Sequence, residues 1–260
     1  MKIIKNLVAL FGLSVIRLST LNRLLEMAKR NNGWKSGVLD SFLDGLEDFK
    51  FKAPPPFQSQ LGQDYLASVL FGSSGFFVEF GATNGIELSN SFALEKMGWK
   101  GILAEPSREW HDQLRANRPN SSICFDCVWS HSNEKLHFSS ASAGVLSTLS
   151  QFSKSDHHDR QIVEEYSVNT ISLQDLLDER NAPRFVEFLS IDTEGSELEI
   201  LSAFNWEERT FGLIAVEHNY TKNREEIFNL LSSKGYTRVL EEQSRWDDWY
   251  IHESLKLRAK

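Results

Sequence analysis

Cysteine is scarce: Cys124 and Cys127 are the only two in 260 residues. A lone CxxC reads as a redox pair or half of a zinc site, but no second pair completes a metal site, and on a strand its two thiols would point to opposite faces. They read as buried thiols of a cytosolic protein. Long apolar runs are also missing, since none approaches the roughly 20 residues that span a bilayer. Positive charge is in deficit, with 28 Lys and Arg against 36 Asp and Glu. That balance argues against a nucleic-acid partner, because phosphate backbones are held mainly by Lys and Arg. Internal repeats and low-complexity tracts are lacking too. What remains is an ordinary globular composition, 41% hydrophobic and 25% charged, which removes disorder as the default.

The charge is unevenly spread. Residues 1–35 carry seven Lys and Arg against the single Glu26. "LVALFGLSVI" after Lys2 and Lys5 has the look of a signal peptide, but Arg17 follows and no small-residue cleavage site is evident. Ile4, Val8, Phe11, Val15, Leu18, Leu21 and Leu25 recur at helical spacing. The spacing predicts a basic amphipathic helix, which either lies on an anionic membrane surface or packs against protein. Ala53-Pro54-Pro55-Pro56 stops it, so residues 1–56 are expected to be a helical appendage and 57–260 the main domain.

Strands and helices alternate from there. Strands are expected over 76–80, 101–105, 122–128, 184–191, 211–217, 237–241 and 249–252. Helices are expected over 63–71, 88–97, 109–117, 172–179, 196–204 and 224–233. Alternation predicts a doubly wound, mostly parallel sheet, and the two closely spaced runs at the end suggest an antiparallel edge. Residues 139–168 stand outside the pattern. Polar and Ser-rich, they are expected to form a functional loop or lid, or else to be disordered.

The stretch Phe76–Pro106 carries the cofactor argument. A strand runs into Gly81-Ala82-Thr83-Asn84-Gly85, an amphipathic segment follows, and a second strand ends at Glu105-Pro106. A glycine turn at a strand's C-terminal end lets backbone approach a ligand. A dinucleotide fold wants G-x-G-x-x-G, yet here the spacing is E-x-G-x-x-x-G. Glu79 would repel a pyrophosphate and attract the amino group or sulfonium of S-adenosylmethionine. Glu105, at the next strand end, is placed to accept from both ribose hydroxyls. Asp126, near the end of the third strand, suits either the adenine amino group or plain solvent exposure.

Six motifs in order, "SQLGQDYL" (59–66), "GFFVEFGATNG" (75–85), "SNSFALEKMGWKGILAEP" (89–106), "ISLQDLL" (171–177), "FLSIDTEGSELEIL" (188–201) and "WDDWYI" (246–251), resemble the FkbM family of S-adenosylmethionine-dependent methyltransferases. The resemblance covers residues 59 to about 252. Thr83-Asn84 departs from the family's more common Asn-Asp or Asn-Ile, a change the turn tolerates. The resemblance implies a class I methyltransferase (Rossmann-like) fold, usually seven strands with one antiparallel. It also implies O-methylation, commonly of a sugar or another hydroxylated metabolite.

For the chemistry, "SIDTEGSELEIL" brings Asp192 and Glu194 to the ligand edge. Glu197 and Glu199 read as helix-start residues that complement the dipole. The following strand ends in Glu217-His218-Asn219. Asp192, Glu194 and His218 are therefore the candidate catalysts, one of them a general base for an acceptor hydroxyl. Asp192, Glu217 and His218 are the alternative ligands of a divalent cation. His157-His158-Asp159 reads as solvated loop or lid. Trp246, Asp247, Asp248 and Trp249 suit sugar recognition or plain packing. Ser59, Gln60, Gln63 and Asp64 are expected to cap or line the cofactor mouth. The expectation is a cytoplasmic sugar O-methyltransferase, peripheral to a membrane if the basic helix binds lipid. It is weighed against an NAD(P)-dependent sugar oxidoreductase and a non-enzymatic interaction module on the same fold.

Overall fold

A computed structural model describes residues 57–255. The basic helix, the triple proline and the 1–56 appendage lie outside the described residues.

The first helix, α1 (Gln63–Phe71), leads through Gly72 into β1 (Phe76–Phe80). Then come α2 (Phe92–Lys96), β2 (Lys100–Ala104), α3 (His111–Asn117), β3 (Ser122–Cys124), β4 (Cys127–Trp129), β5 (Lys135–Ala141), β6 (Thr148–Leu149), β7 (Ile162–Ser172) and α4 (Leu173–Glu179). The chain continues through β8 (Phe185–Ile191), α5 (Glu197–Ala203), β9 (Thr210–Glu217), α6 (Asn223–Ser233), β10 (Tyr236–Val239), α7 (Glu241–Ser244) and β11 (Asp247–His252). Seven strands form one sheet in the order β10-β11-β9-β8-β1-β2-β3. All run parallel except β11, which is antiparallel to both β9 and β10.

The central strands read FFVEF, FVEFLSI and TFGLIAVE, and nearly every side chain in them is buried. Such unbroken apolar runs fit strands covered on both faces, as parallel sheets require. Leu173, Leu176 and Leu177 of α4, Ile200 and Leu201 of α5, and Ile227 and Leu231 of α6 join them in one core.

Two sequence expectations are corrected. Residues 122–128 do not form one strand: β3 belongs to the large sheet, whereas β4 belongs to a second sheet of order β4-β7-β5-β6. And 139–168 is not one long loop or disordered: strands occupy 139–141, 148–149 and 162–168 of it, with turns and short 3-10 segments between them. β5 and the eleven-residue β7 pair antiparallel from Lys135↔Asn169 to Ala141↔Ile162. Serine hid this sheet, because a hydroxyl carries no hydrophobic period. Buried Ser139 meets its hydrogen-bonding need through Ser150 Oγ and Glu165 Oε1.

Behind the first turn lies Arg118, whose side chain is fully buried. It donates to Glu95 at 2.9 Å, to the Gly85 carbonyl at 3.1 Å and to the Ser89 and Ser91 hydroxyls, with Glu79 3.8 Å away. Removing one partner of such a network strands buried carboxylates, so Arg118→Met should destabilise the fold by roughly 3–5 kcal/mol in urea titration. A loss below about 1 kcal/mol would show the network to be dispensable.

Candidate active site

A cavity of about 450 Å³ opens at the C-terminal ends of β1, β2, β8 and β9, within the usual size range of ligand sites. Its first wall is the turn after β1. Gly81, at φ 73°, is bare where a Cβ would meet the Asp192 carbonyl at 2.1 Å, so the turn and the Asp192 backbone touch only because glycine stands there. Gly85, at φ 78°, lies flat against Arg118 and Leu114 for the same reason. Gly81 and Thr83 face the cavity. Ala82 is buried, and Asn84 instead caps the turn, its Oδ1 accepting from the amides of Ile86 and Glu87. Glu79 lines the cavity, but its oxygens are engaged: Asn90 N donates at 2.6 Å, Ser89 Oγ at 3.0 Å, and Ser91 Oγ donates as well.

Glu105 forms the second wall, with Pro106 beside it. Its two oxygens accept the amides of Thr83 and Ser107, each at 2.8 Å, leaving further lone pairs on both. Burial pushes its carboxyl up to about 7. Asp126, at the break between β3 and β4, lines a second cavity with Ser132, Asn133, Thr170 and Asp175 and is not among the residues lining the first.

Three carboxyls make up the floor. Asp192, Glu194 and Glu217 each place an oxygen within 4.8 Å of the others. Burial, then the charges of their neighbours, raises Asp192 and Glu217 well above the ordinary carboxylate range. Carboxyls this close resist ionising together. Glu194, at φ 59°, is pushed up to about 7 by burial despite its bond to Arg160. Glu197, at the start of α5 as expected, also closes the turn before it, its Oε1 accepting from Thr193 N, Thr193 Oγ1 and Gly195 N.

His218, expected as a catalyst or a metal ligand, does not join the floor. Its ring is buried beside β9, Nδ1 accepts from Tyr220 N at 2.9 Å, and Nε2 lies 3.6 Å from Asp248. Glu217 ends β9 pointing into the cavity. The next residue, at a strand end, points away from it. The close acidic trio is thus Asp192, Glu194 and Glu217, without the imidazole.

Of two further contributors, Asp247 belongs to the stretch read for sugar recognition or packing, and only Arg160 escaped the sequence reading. Asp247 faces the cavity and accepts from Gln63 Nε2 at 2.6 Å, tying α1 to β11. Arg160, from the segment read as a loop, reaches across to Glu194 at 2.6 Å. It also grips Asp156 with two bonds of 2.6 Å and the Leu146 carbonyl at 2.9 Å. Thr148 Oγ1 adds a bond to the Glu194 carbonyl at 3.0 Å. The second sheet and its loops are thereby fastened to the acidic floor. Only the polarity of the segment hinted at contact with a ligand.

A group with a raised folded-state pKa stabilises below its unfolded value and loses that contribution as pH rises through the folded one. Glu105, Glu194, Asp192 and Glu217 are all of this kind. Asp156, Asp178 and Asp248 are held low and titrate at more acid pH. Ligand-free protein should therefore melt at a lower temperature at pH 8 than at pH 6. A flat profile by calorimetry would mean that these carboxyls are solvated.

The profile of the methyltransferase FkbM domain matches residues 79–238, well over half of the chain. No curated protein matches. Similar solved structures include the O-methyltransferase from Bacillus cereus in complex with SAH, at 13% identity over 95% of this chain and 94% of that one, TM-score 0.41. Precorrin-6y C5,15-methyltransferase from Geobacter metallireducens GS-15 aligns at 13% identity over 79% and 93%, TM-score 0.41. A putative RNA methyltransferase from Pyrococcus horikoshii aligns at 12% over 81% and 96%, TM-score 0.39. Likenesses so distant assign no reaction. The family match does assign the class, and the chain belongs to the FkbM methyltransferases, with S-adenosylmethionine as methyl donor.

Proposed function

We propose that the protein methylates a sugar hydroxyl of a glycan, glycolipid or glycosylated metabolite. The observation that carries this reading is the Asp192–Glu217 carboxyl pair on the cavity floor. A hydroxyl must give up its proton as its oxygen takes the methyl group. An ordinary carboxylate is a weak base at neutral pH, whereas burial beside like charges raises its basicity. Asp192 is the base in this reading, Glu217 positions it, and Glu194 is held by Arg160.

The chain fits the donor. Gly81 lets the turn pack onto the Asp192 backbone at the cavity wall, and Glu105 offers free lone pairs for the ribose hydroxyls. Thr83 and Pro106 flank that position, while Glu79, Ala82, Asn84 and Gly85 shape the turn from behind. Bound there, S-adenosylmethionine supplies an electrophilic methyl group. The chain's own residues bind, orient and accept the proton. We read the acidic trio as acid–base machinery and not as a cation site, because the Arg160 guanidinium already occupies Glu194 Oε2.

The turn's spacing still disfavours the NAD(P) oxidoreductase, and a retained Glu79, Gly81, Glu105 and Asp192 disfavours a non-enzymatic module. Residues 57–260 hold the transferase in this proposal, with 1–56 an appendage touching a membrane from the cytoplasmic side. Among the described residues no helix is long and apolar enough to cross one. The full chain should be incubated with methyl-labelled donor and a panel of glycosides, with and without EDTA. Label on a sugar oxygen in both arms is the expected result. Label only on carbon, nitrogen or RNA would sink the O-methyl reading, and loss with EDTA would sink the metal-free one.

A further inference from the structure

The cavity's chemistry narrows the acceptor beyond "a hydroxylated sugar", an inference that rests on the O-methyltransferase reading above. Seven carboxyl side chains line the cavity and, among the described residues, no Lys or Arg does. The arginines beside its walls are committed elsewhere: Arg118 faces the core, Arg160 is bound by Asp156 and Glu194, and Arg245 is exposed over the Trp246 ring. His157 and His158 reach it only from the exposed rim. A phosphate or carboxylate entering would shed water and meet no cation, which is costly. The donor is no exception, because its carboxylate comes with an ammonium and a sulfonium.

The rim is of the opposite character. Among the described residues five large hydrophobic side chains are exposed, and three of them stand at this mouth: Leu88 at 47%, Val145 at 45% and Tyr220 at 60%. Exposed apolar groups gathered at one opening mark a binding surface. They come from three separate segments, after β1, after β5 and after β9. Two of them are held in left-handed backbone, Leu88 at φ 60° and Tyr220 at φ 56°, next to Asn219 at φ 44°. Such a conformation costs roughly 1–2 kcal/mol for a residue with a Cβ and persists where surrounding bonds impose it. Here they do: Tyr220 N donates to His218 Nδ1 at 2.9 Å, and His218 N and Asn219 N donate to the Trp246 carbonyl at 2.9 and 3.1 Å. The buried imidazole thus serves to place an exposed aromatic ring.

We propose that Leu88, Val145 and Tyr220 form an acceptor clamp, and that the acceptor is an uncharged hydroxylated ring carrying an apolar substituent. Phosphorylated and uronic sugars are excluded. The SAH-saturated full chain is titrated calorimetrically at pH 8 with octyl β-glucoside below its micelle-forming concentration, methyl β-glucoside and octyl β-glucuronide. The octyl glucoside should bind about tenfold tighter than the methyl glucoside, as burial of a few methylene groups implies, and the glucuronide should not bind measurably. Tyr220→Gly removes the ring and relieves the left-handed strain, so it should keep the wild-type melting curve while losing most of the octyl advantage. Equal binding of the two glucosides, equal binding of the glucuronide, or no binding at all overturns the clamp. Methyl transfer onto the same compounds tests the sugar reading separately. Selective binding without transfer would sink that reading and leave the clamp standing, and transfer to the glucuronide at the glucoside's rate would do the reverse.

Discussion

Asp192→Asn is expected to slow methyl transfer by roughly 10²–10⁴-fold, the usual worth of a positioned general base. Asparagine keeps the shape of the side chain, so the contact between the Asp192 carbonyl and Gly81 is preserved. It cannot take a proton, and it breaks the carboxyl pair with Glu217. SAH affinity should change little, because the substitution leaves the Glu105 wall intact. Single-turnover transfer to an accepting glycoside, beside SAH titration, reads both quantities. Transfer within about tenfold of wild type would remove Asp192 as the base. His218→Ala is the contrast. With its ring turned to Asp248, it should cost less than about tenfold in the chemical step, and a larger loss would restore the imidazole as a catalyst.

Glu105→Ala should weaken SAH binding by about a hundredfold or more. Hydrogen bonds to a charged acceptor are worth about 1.5–3 kcal/mol each, and two ribose hydroxyls are at stake. The substitution also leaves the Thr83 and Ser107 amides without their acceptor, loosening the turn that faces the donor. Because burial lifts the Glu105 carboxyl to about 7, SAH binding to the wild type should itself depend on pH. Accepting from both hydroxyls requires the ionised form, so affinity should rise from pH 6 to pH 8 and then level off. An alanine variant that binds within about threefold of wild type would place the ribose elsewhere.

Several of these residues are legible in the sequence itself. β1, β8 and β9 announce themselves as buried parallel strands through continuous apolar runs, which need no tertiary information. Gly81 and Gly85 were legible because few other residues tolerate their backbone angles so close to neighbouring atoms. Asp192 and Glu217 were legible because each ends an apolar strand, and strand ends in a parallel sheet share one edge. The second sheet was not legible. β5 and β7 are rich in Ser, Glu and Asn, and their pairing is non-local, from Lys135↔Asn169 inward.

The chain alone therefore pointed to Gly81, Glu105, Asp192 and Glu217 at the cavity edge, since strand period and glycine geometry are local properties. Only the tertiary structure decided what each does there. It turned His218 toward Asp248 and Tyr220, and moved Asp126 out of the cavity by sending β3 and β4 into different sheets. It brought Arg160 across 34 residues of sequence onto Glu194. A side chain's protonation and direction depend on the charges and hydrogen bonds around it, and those come from segments whose contact no local pattern encodes.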